Sequence, residues 1–122
     1  MPRDPAQAVL WFRKAADQGM VEAQTDLGVA YAMGDGVEQD YAQAAGWFRK
    51  AADKGYGQAQ NALGELYDQG KGVPQDYVLA HMWLNLAVAH ASSVARRERV
   101  GAKMTAAQID DAQKMARDWV EK

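Results

Sequence analysis

"WFRKAADQG" at residues 11–19 and "WFRKAADKG" at residues 47–55 differ at one position of nine, with an offset of 36 residues. Sliding the chain against itself by that offset extends the match in both directions. Residues 4–19 agree with 40–55 at twelve of sixteen positions, and residues 21–40 agree with 57–76 at ten of twenty. Trp11, Trp47, Trp83 and Trp119 all keep the period, as do Ala8, Ala44, Ala80 and Ala116. A fixed period of this length marks a stacked repeat architecture.

Each unit reads as two helices. In the "W" helix the apolar residues Ala8, Trp11, Phe12, Ala15 and Ala16 form the i, i+3, i+4, i+7, i+8 stripe of an amphipathic helix. The stripe returns at Ala44, Trp47, Phe48, Ala51 and Ala52, and again at Ala80, Trp83, Leu84, Ala87 and Val88. Asp4, Asp40 and Asp76 stand where an N-cap carboxylate accepts from free N–H groups. Pro5 suits the first helical position, and Gly19 and Gly55 permit a left-handed stop. The "L-G-x-x-Y" helix repeats near 21–33 and 57–69. Its interior glycines, Gly28 and Gly64, each cost about 0.5–1 kcal/mol relative to alanine. A cost taken twice at one register predicts a close helix–helix approach. The loops "GDGVEQD" (34–40) and "GKGVPQD" (70–76) then lead into the next capping Asp.

The third unit departs from this pattern. Ala91 replaces the terminating glycine, so its W helix is expected to run on toward Ser92 or Ser93. The stretch "VARRERVGAK" (94–103) replaces the L-G helix, and "TAAQ" (105–108) forms a capping box for the last helix. Ile109, Ala112, Ala116, Trp119 and Val120 give that helix an inward face. Such divergence suits the terminal cap of a solenoid. Seven helices are predicted, over 5–18, 21–33, 41–54, 57–69, 77–91, 94–103 and 106–121. They form one domain over 1–122, made of a half repeat (4–19), repeats over 20–55 and 56–91, and a capping repeat (92–122).

The motifs "EAQTDLGVAYAMGDGVEQDYAQAAGWFRKAADKG" (22–55) and "QAQNALGELYDQGKGVPQDYVLAHMWLNLA" (58–87) resemble the Sel-one-like repeat (SLR) family, a relative of tetratricopeptide repeats. The ending "MTAAQIDDAQKMARDW" is similar to the closing helix of bacterial members. The resemblance implies a right-handed all-α solenoid of about three and a half helix-turn-helix repeats. It also implies an adaptor or scaffold, not an enzyme. Some cysteine-rich bacterial members bind or hydrolyse β-lactams; this chain has no cysteine.

Little in the residues points to chemistry. The two histidines, His81 and His90, lie nine residues apart on one predicted helix, on opposite faces, and cannot share a metal. His81 is read as exposed or at a repeat boundary. The glycine loops lack the dinucleotide fingerprint, and "GKG" is not followed by Ser or Thr as a phosphate loop requires. Asp110 and Asp111 point apart, and Ser92 and Ser93 have no base in sight. The tryptophans, with helical spacing and strict period, are read as core. No cofactor is expected.

With 14 Lys and Arg against 16 Asp and Glu, a net charge of −2 directs the chain to neither nucleic acid nor anionic lipid. Arg96, Arg97, Arg99 and Lys103 form the single basic cluster, read as a solvated cap face or a contact for an acidic protein. No run approaches the roughly 20 apolar residues of a spanning helix. "MPRDPAQAVL" lacks the apolar region of a signal peptide. A cytoplasmic location is therefore expected for the chain as it stands, and a periplasmic or secreted one within a longer parent.

Function is expected on the surface left free by stacking. In repeats of the resembled type the first helix of each pair lines a concave groove. Its stripe here comprises Glu22, Thr25, Val29, Ala32 and Met33, then Gln58, Asn61, Glu65, Asp68 and Gln69. These side chains are expected to bind a peptide or partner protein, with Glu65 and Asp68 open to basic groups. The helix over 5–18 lacks the preceding helix of its pair, so Val9, Leu10 and Phe12 are expected to form a partly uncovered patch, to be covered in a homodimer or by a helix that a longer parent supplies. The alternatives are a hydrolase acting on wall-related or β-lactam substrates, and a module that serves only to build an oligomer.

Overall fold

The computed structural model describes residues 4–87 and 91–121. Among these, seven helices form and no strand: α1 (Pro5–Asp17), α2 (Val21–Met33), α3 (Tyr41–Asp53), α4 (Gly57–Gln69), α5 (Tyr77–Leu86), α6 (Ala91–Gly101) and α7 (Ala106–Glu121). Helices α2 and α3 pair, as do α4 and α5. Helices α6 and α7 both pack on α5, so the chain is a stack of consecutive helix-turn-helix repeats.

The local signals act as the residue chemistry requires. The carboxylates of Asp4, Asp40 and Asp76 accept from the backbone N–H groups of Ala6, Gln43 and Leu79 at 3.0–3.1 Å. The capping box closes in both directions. Thr105 N–H donates to Gln108 Oε1 at 2.9 Å, and Gln108 N–H donates to Thr105 Oγ1 at 3.1 Å.

Two sets of glutamines tie neighbouring elements through carbonyls near the helix ends. Buried Gln24 and Gln60 donate to the Ala16 and Ala52 carbonyls, each at 3.2 Å. Loop residues Gln39 and Gln75 donate to the Ala32 and Asp68 carbonyls at 2.8 Å. The second glycine of each loop is sterically fixed as well. Gly36 (φ +83°) and Gly72 (φ +74°) rest on the Pro5 and Tyr41 carbonyls, where a Cβ would overlap the backbone. Each loop thereby docks on the first turn of the preceding W helix.

The core runs along the stack through Leu27, Trp47, Phe48, Leu63 and Trp83, closed by alanines such as Ala44, Ala51, Ala52 and Ala59. Ala80, Leu84 and Val100 form a second cluster beneath α6. Trp83 meets Trp119 edge to face, with centroids 6.0 Å apart.

Four expectations need correction. Helix α5 ends at Leu86 rather than continuing to 91. The chain must leave α5 for α6 to fold back on it, a return held by Arg97 Nη1 donating to Asn85 Oδ1 at 2.8 Å. His81 is buried, facing Gly101 of α6; His90 and the side chains of Ser92 and Ser93 lie outside the described residues. Trp11 is 66% exposed and is not core, since no described element packs over it as α7 packs over Trp83. Val120 also faces outward, while Ala112 and Ala116 of the same helix are buried.

Candidate functional site

The L-G-type helices present two depressions that repeat with the sequence period. Cleft 1, of about 160 Å³, lies between α1 and α2. Cleft 2, of about 260 Å³, lies between α2, α3 and α4. Six of the eight residues lining cleft 1 have their counterparts in cleft 2 at an offset of 36: Pro5 with Tyr41, Phe12 with Phe48, Asp26 with Ala62, Val29 with Glu65, Ala30 with Leu66, and Asp35 with Lys71. Aromatic or aliphatic side chains make the floor in both. The rims differ, acidic in cleft 1 and mixed in cleft 2.

At the third position the equivalents of Tyr41 and Phe48 are Tyr77 and Leu84. Here Val100 and Met104 pack against Leu84 and Tyr77, and Lys103 lies 5.3 Å from the Tyr77 ring centroid. Lys71 stands 5.2 Å from the Tyr41 ring in the same way. The third position is therefore occupied by the chain's own α6 and the turn after it.

Helix α6 is bound there by charge. Arg96 Nη2 lies 3.1 Å from Glu65 Oε2, and the carboxylate of buried Asp68 is 3.3 Å from Lys103 Nζ and 3.8 Å from Arg99 Nη2. The basic cluster is thus not merely a solvated face: Arg99 and Lys103 remain about half exposed while reaching Asp68. Its opposite charges lie on α4, at two residues that the sequence suggested were open to a partner.

The remaining expected site residues divide by exposure. Glu22, Val29, Met33, Gln58 and Gln69 are exposed, and Ala32, Asn61 and Glu65 are half-buried. Thr25 is buried and its hydroxyl donates to the Val21 carbonyl at 2.9 Å, so it is not on the open stripe. Met33, Glu65 and Gln69 come together around cleft 2. Gln69 Nε2 also donates to Glu65 Oε1 at 3.3 Å. The floor residues Phe12, Tyr41 and Phe48 and the rim residues Asp26, Asp35 and Lys71 were not expected there. The 36-residue register was the signal that could have found them.

Helix α2 is unusual in its outward stripe. Glu22, Asp26, Val29 and Met33 follow one another along its exposed side. Val29 is 41% and Met33 71% exposed, where α4 carries Glu65 and Gln69. Partial burial, and then the charge of Glu22 one turn away, raise the Asp26 pKa above the ordinary carboxylate value.

The expected N-terminal patch splits in two. Val9 is buried, and Phe12 is half-buried in the floor of cleft 1. Leu10, 63% exposed, instead joins Trp11, Arg13 and Lys14 around a separate surface depression. Lys14 Nζ lies 5.8 Å from the Trp11 ring centroid. Among the described residues no helix is long and apolar enough to cross a membrane.

The described geometry has close counterparts. A solved structure described as a protective antigen present in uropathogenic Escherichia coli strains, displaying an SLR fold, is 39% identical with a TM-score of 0.95. The match covers all of this chain and 27% of that one. A Sel1 repeat protein from Oxalobacter formigenes is 31% identical with a TM-score of 0.74, over 80% of this chain and 41% of that one. The chain thus spans under half the length of either. A search of curated proteins found no match. The Sel1 repeat model matches three successive segments, residues 1–20, 21–56 and 57–92. With the paired helices and period-related clefts, that match places the chain in the Sel1 repeat family.

Proposed function

We propose that this chain is a non-enzymatic protein-interaction module whose partner, a peptide or a segment of another protein, binds across the L-G helices over clefts 1 and 2. The observation that carries the reading is the exposed stripe of α2. A helix that turns one face to a core ordinarily keeps polar residues on the other. Helix α2 instead exposes Val29 and Met33 between two depressions with apolar floors. Apolar surface flanked by polar side chains is the usual character of a binding surface. Arg96, Arg99 and Lys103 engage Glu65 and Asp68, so the open part of the surface lies toward α1 and α2.

A photo-crosslinking residue placed at Met33, and separately at Leu10, tests this in cells of the source organism. The reading expects a defined adduct from position 33 that disappears when Val29 is changed to Asp. Labelling at Leu10 alone would move the interface to the outer face of α1. A second reading, self-association, has its own support in the exposed pair Leu10 and Trp11. Symmetric pairing of α1 helices would bury both.

A further inference from the structure

The charges and spacing around clefts 1 and 2 restrict the partner's chemistry. Taking these clefts as the interaction surface proposed for the chain, on which the inference rests, we infer that the segment seated there is a basic amphipathic helix. Two apolar side chains one heptad apart enter the clefts, and a lysine or arginine meets Glu22 and Asp26.

The spacing comes from the repeat. Clefts 1 and 2 are equivalent positions of successive units on the two sides of α2, and a helix with its side chains is about 10–12 Å across. Two helical turns rise about 10.8 Å. Side chains at i and i+7 of a helix crossing the repeats therefore reach successive clefts.

The charge comes from what is and is not neutralised. On α4, Glu65 and Asp68 are matched by Arg96, Arg99 and Lys103. Among the described residues, Glu22, Asp26 and Asp35 make no ion pair, although Asp26 and Asp35 border an apolar cleft. The nearby cations of α1 are engaged elsewhere: Arg13 donates to the Tyr31 hydroxyl, and Lys14 lies over Trp11. Asp26 is held beside Glu22, and an arriving cation relieves that repulsion.

The chain also holds a precedent for the mode of contact. Helix α6, the next helix of the stack, carries Arg96, Arg99 and Val100, packs on α5 and reaches α4 through its arginines. It places Val100 in the third position and its arginines on the carboxylates of α4. The register on α2 differs, since Glu65 and Asp68 correspond to Val29 and Ala32, so a helix arriving there meets carboxylates one to two turns earlier, at Glu22 and Asp26.

The test is titration of the full-length ¹⁵N-labelled chain with three synthetic helices of about 15 residues. Each carries two leucines seven residues apart, flanked by lysines, by glutamines or by glutamates. The lysine probe is expected to bind saturably, with the largest shifts at Asp26, Val29 and Met33. Its affinity should fall about tenfold in Glu22→Gln/Asp26→Asn and drop with added salt, while the glutamate probe binds at least tenfold more weakly. Equal binding of the lysine and glutamine probes at Val29 and Met33, without salt dependence, would overturn the charge requirement and leave the cleft reading standing. Shifts located elsewhere, or none at Val29 and Met33 with any probe, would overturn both.

Discussion

Gly28 lies directly beneath Phe48. A Cβ at residue 28 would stand 2.7 Å from the Phe48 ring, and one at Gly64 would stand 2.8 Å from Leu84 Cγ. The paired helices α2/α3 and α4/α5 thus meet through the same glycine in each repeat. Gly46, inside α3, has nothing within 4 Å of its Cβ position. The two kinds of helical glycine predict opposite outcomes. Gly28→Ala should lose about 1–2 kcal/mol, because overpacking outweighs the gain in helix propensity. Gly46→Ala should gain about 0.5–1 kcal/mol. Urea midpoints of both variants against wild type check the pair, and a stabilised Gly28→Ala would refute the packing account.

Asp68 predicts how the cap is held. Its buried carboxylate faces Lys103 and Arg99, so Asp68→Asn should destabilise the chain by about 1–3 kcal/mol. Glu65 and Arg96 are each about a third exposed, and Glu65→Gln should lose about 0–1 kcal/mol. Hydrogen exchange should report the Asp68→Asn loss first in α6. Equal effects of the two substitutions would show that burial does not separate these pairs.

Most of the architecture is written in the repeat. Asp4, Asp40, Asp76 and Thr105 act through bonds within their own first turn, and Gly28 advertises its close contact because glycine is otherwise unfavourable there. The site is less legible, because a helical wheel assigns a face without saying what covers it. Thr25 and Asp68 sit on the expected stripe and are nonetheless buried. The arginines of "VARRERVGAK" resemble a solvated run until α6 lies on α4. Trp11 and Trp83 share a register but not a neighbour, so only Trp83 has a Trp119 against it.

His81 predicts a pH dependence. Burial, and then the charge of Arg97, lower its pKa below the ordinary 6.5, so the folded chain holds it neutral. The unfolded chain takes up the proton first. Its contribution is therefore fully present above pH 6.5 and is lost as pH falls below 6.5 through the lowered folded value. His81→Leu should reduce the loss of thermal midpoint between pH 6.5 and 5 relative to wild type. An unchanged slope would assign the acid sensitivity to other groups.

Leu10 and Trp11 predict the behaviour of the outer face of α1. If they pair two copies, light scattering at about 100 µM should give a dimer mass that Leu10→Glu returns to the monomer, with stability altered by about 0.5 kcal/mol or less. A wild-type monomer whose mass and solubility Leu10→Glu leaves unchanged would remove the self-association reading.

The exposed stripe of α2 offers the most direct measurement. Val29→Asp/Met33→Asp alters two side chains that are 41% and 71% exposed, so the thermal midpoint should stay close to wild type. Affinity for the partner segment crosslinked at position 33, measured by calorimetry on the purified chain, should fall at least tenfold, as expected when apolar contacts at an interface centre are lost. Wild-type affinity in the folded double variant would contradict the central claim that the surface over clefts 1 and 2 is where this protein meets its partner.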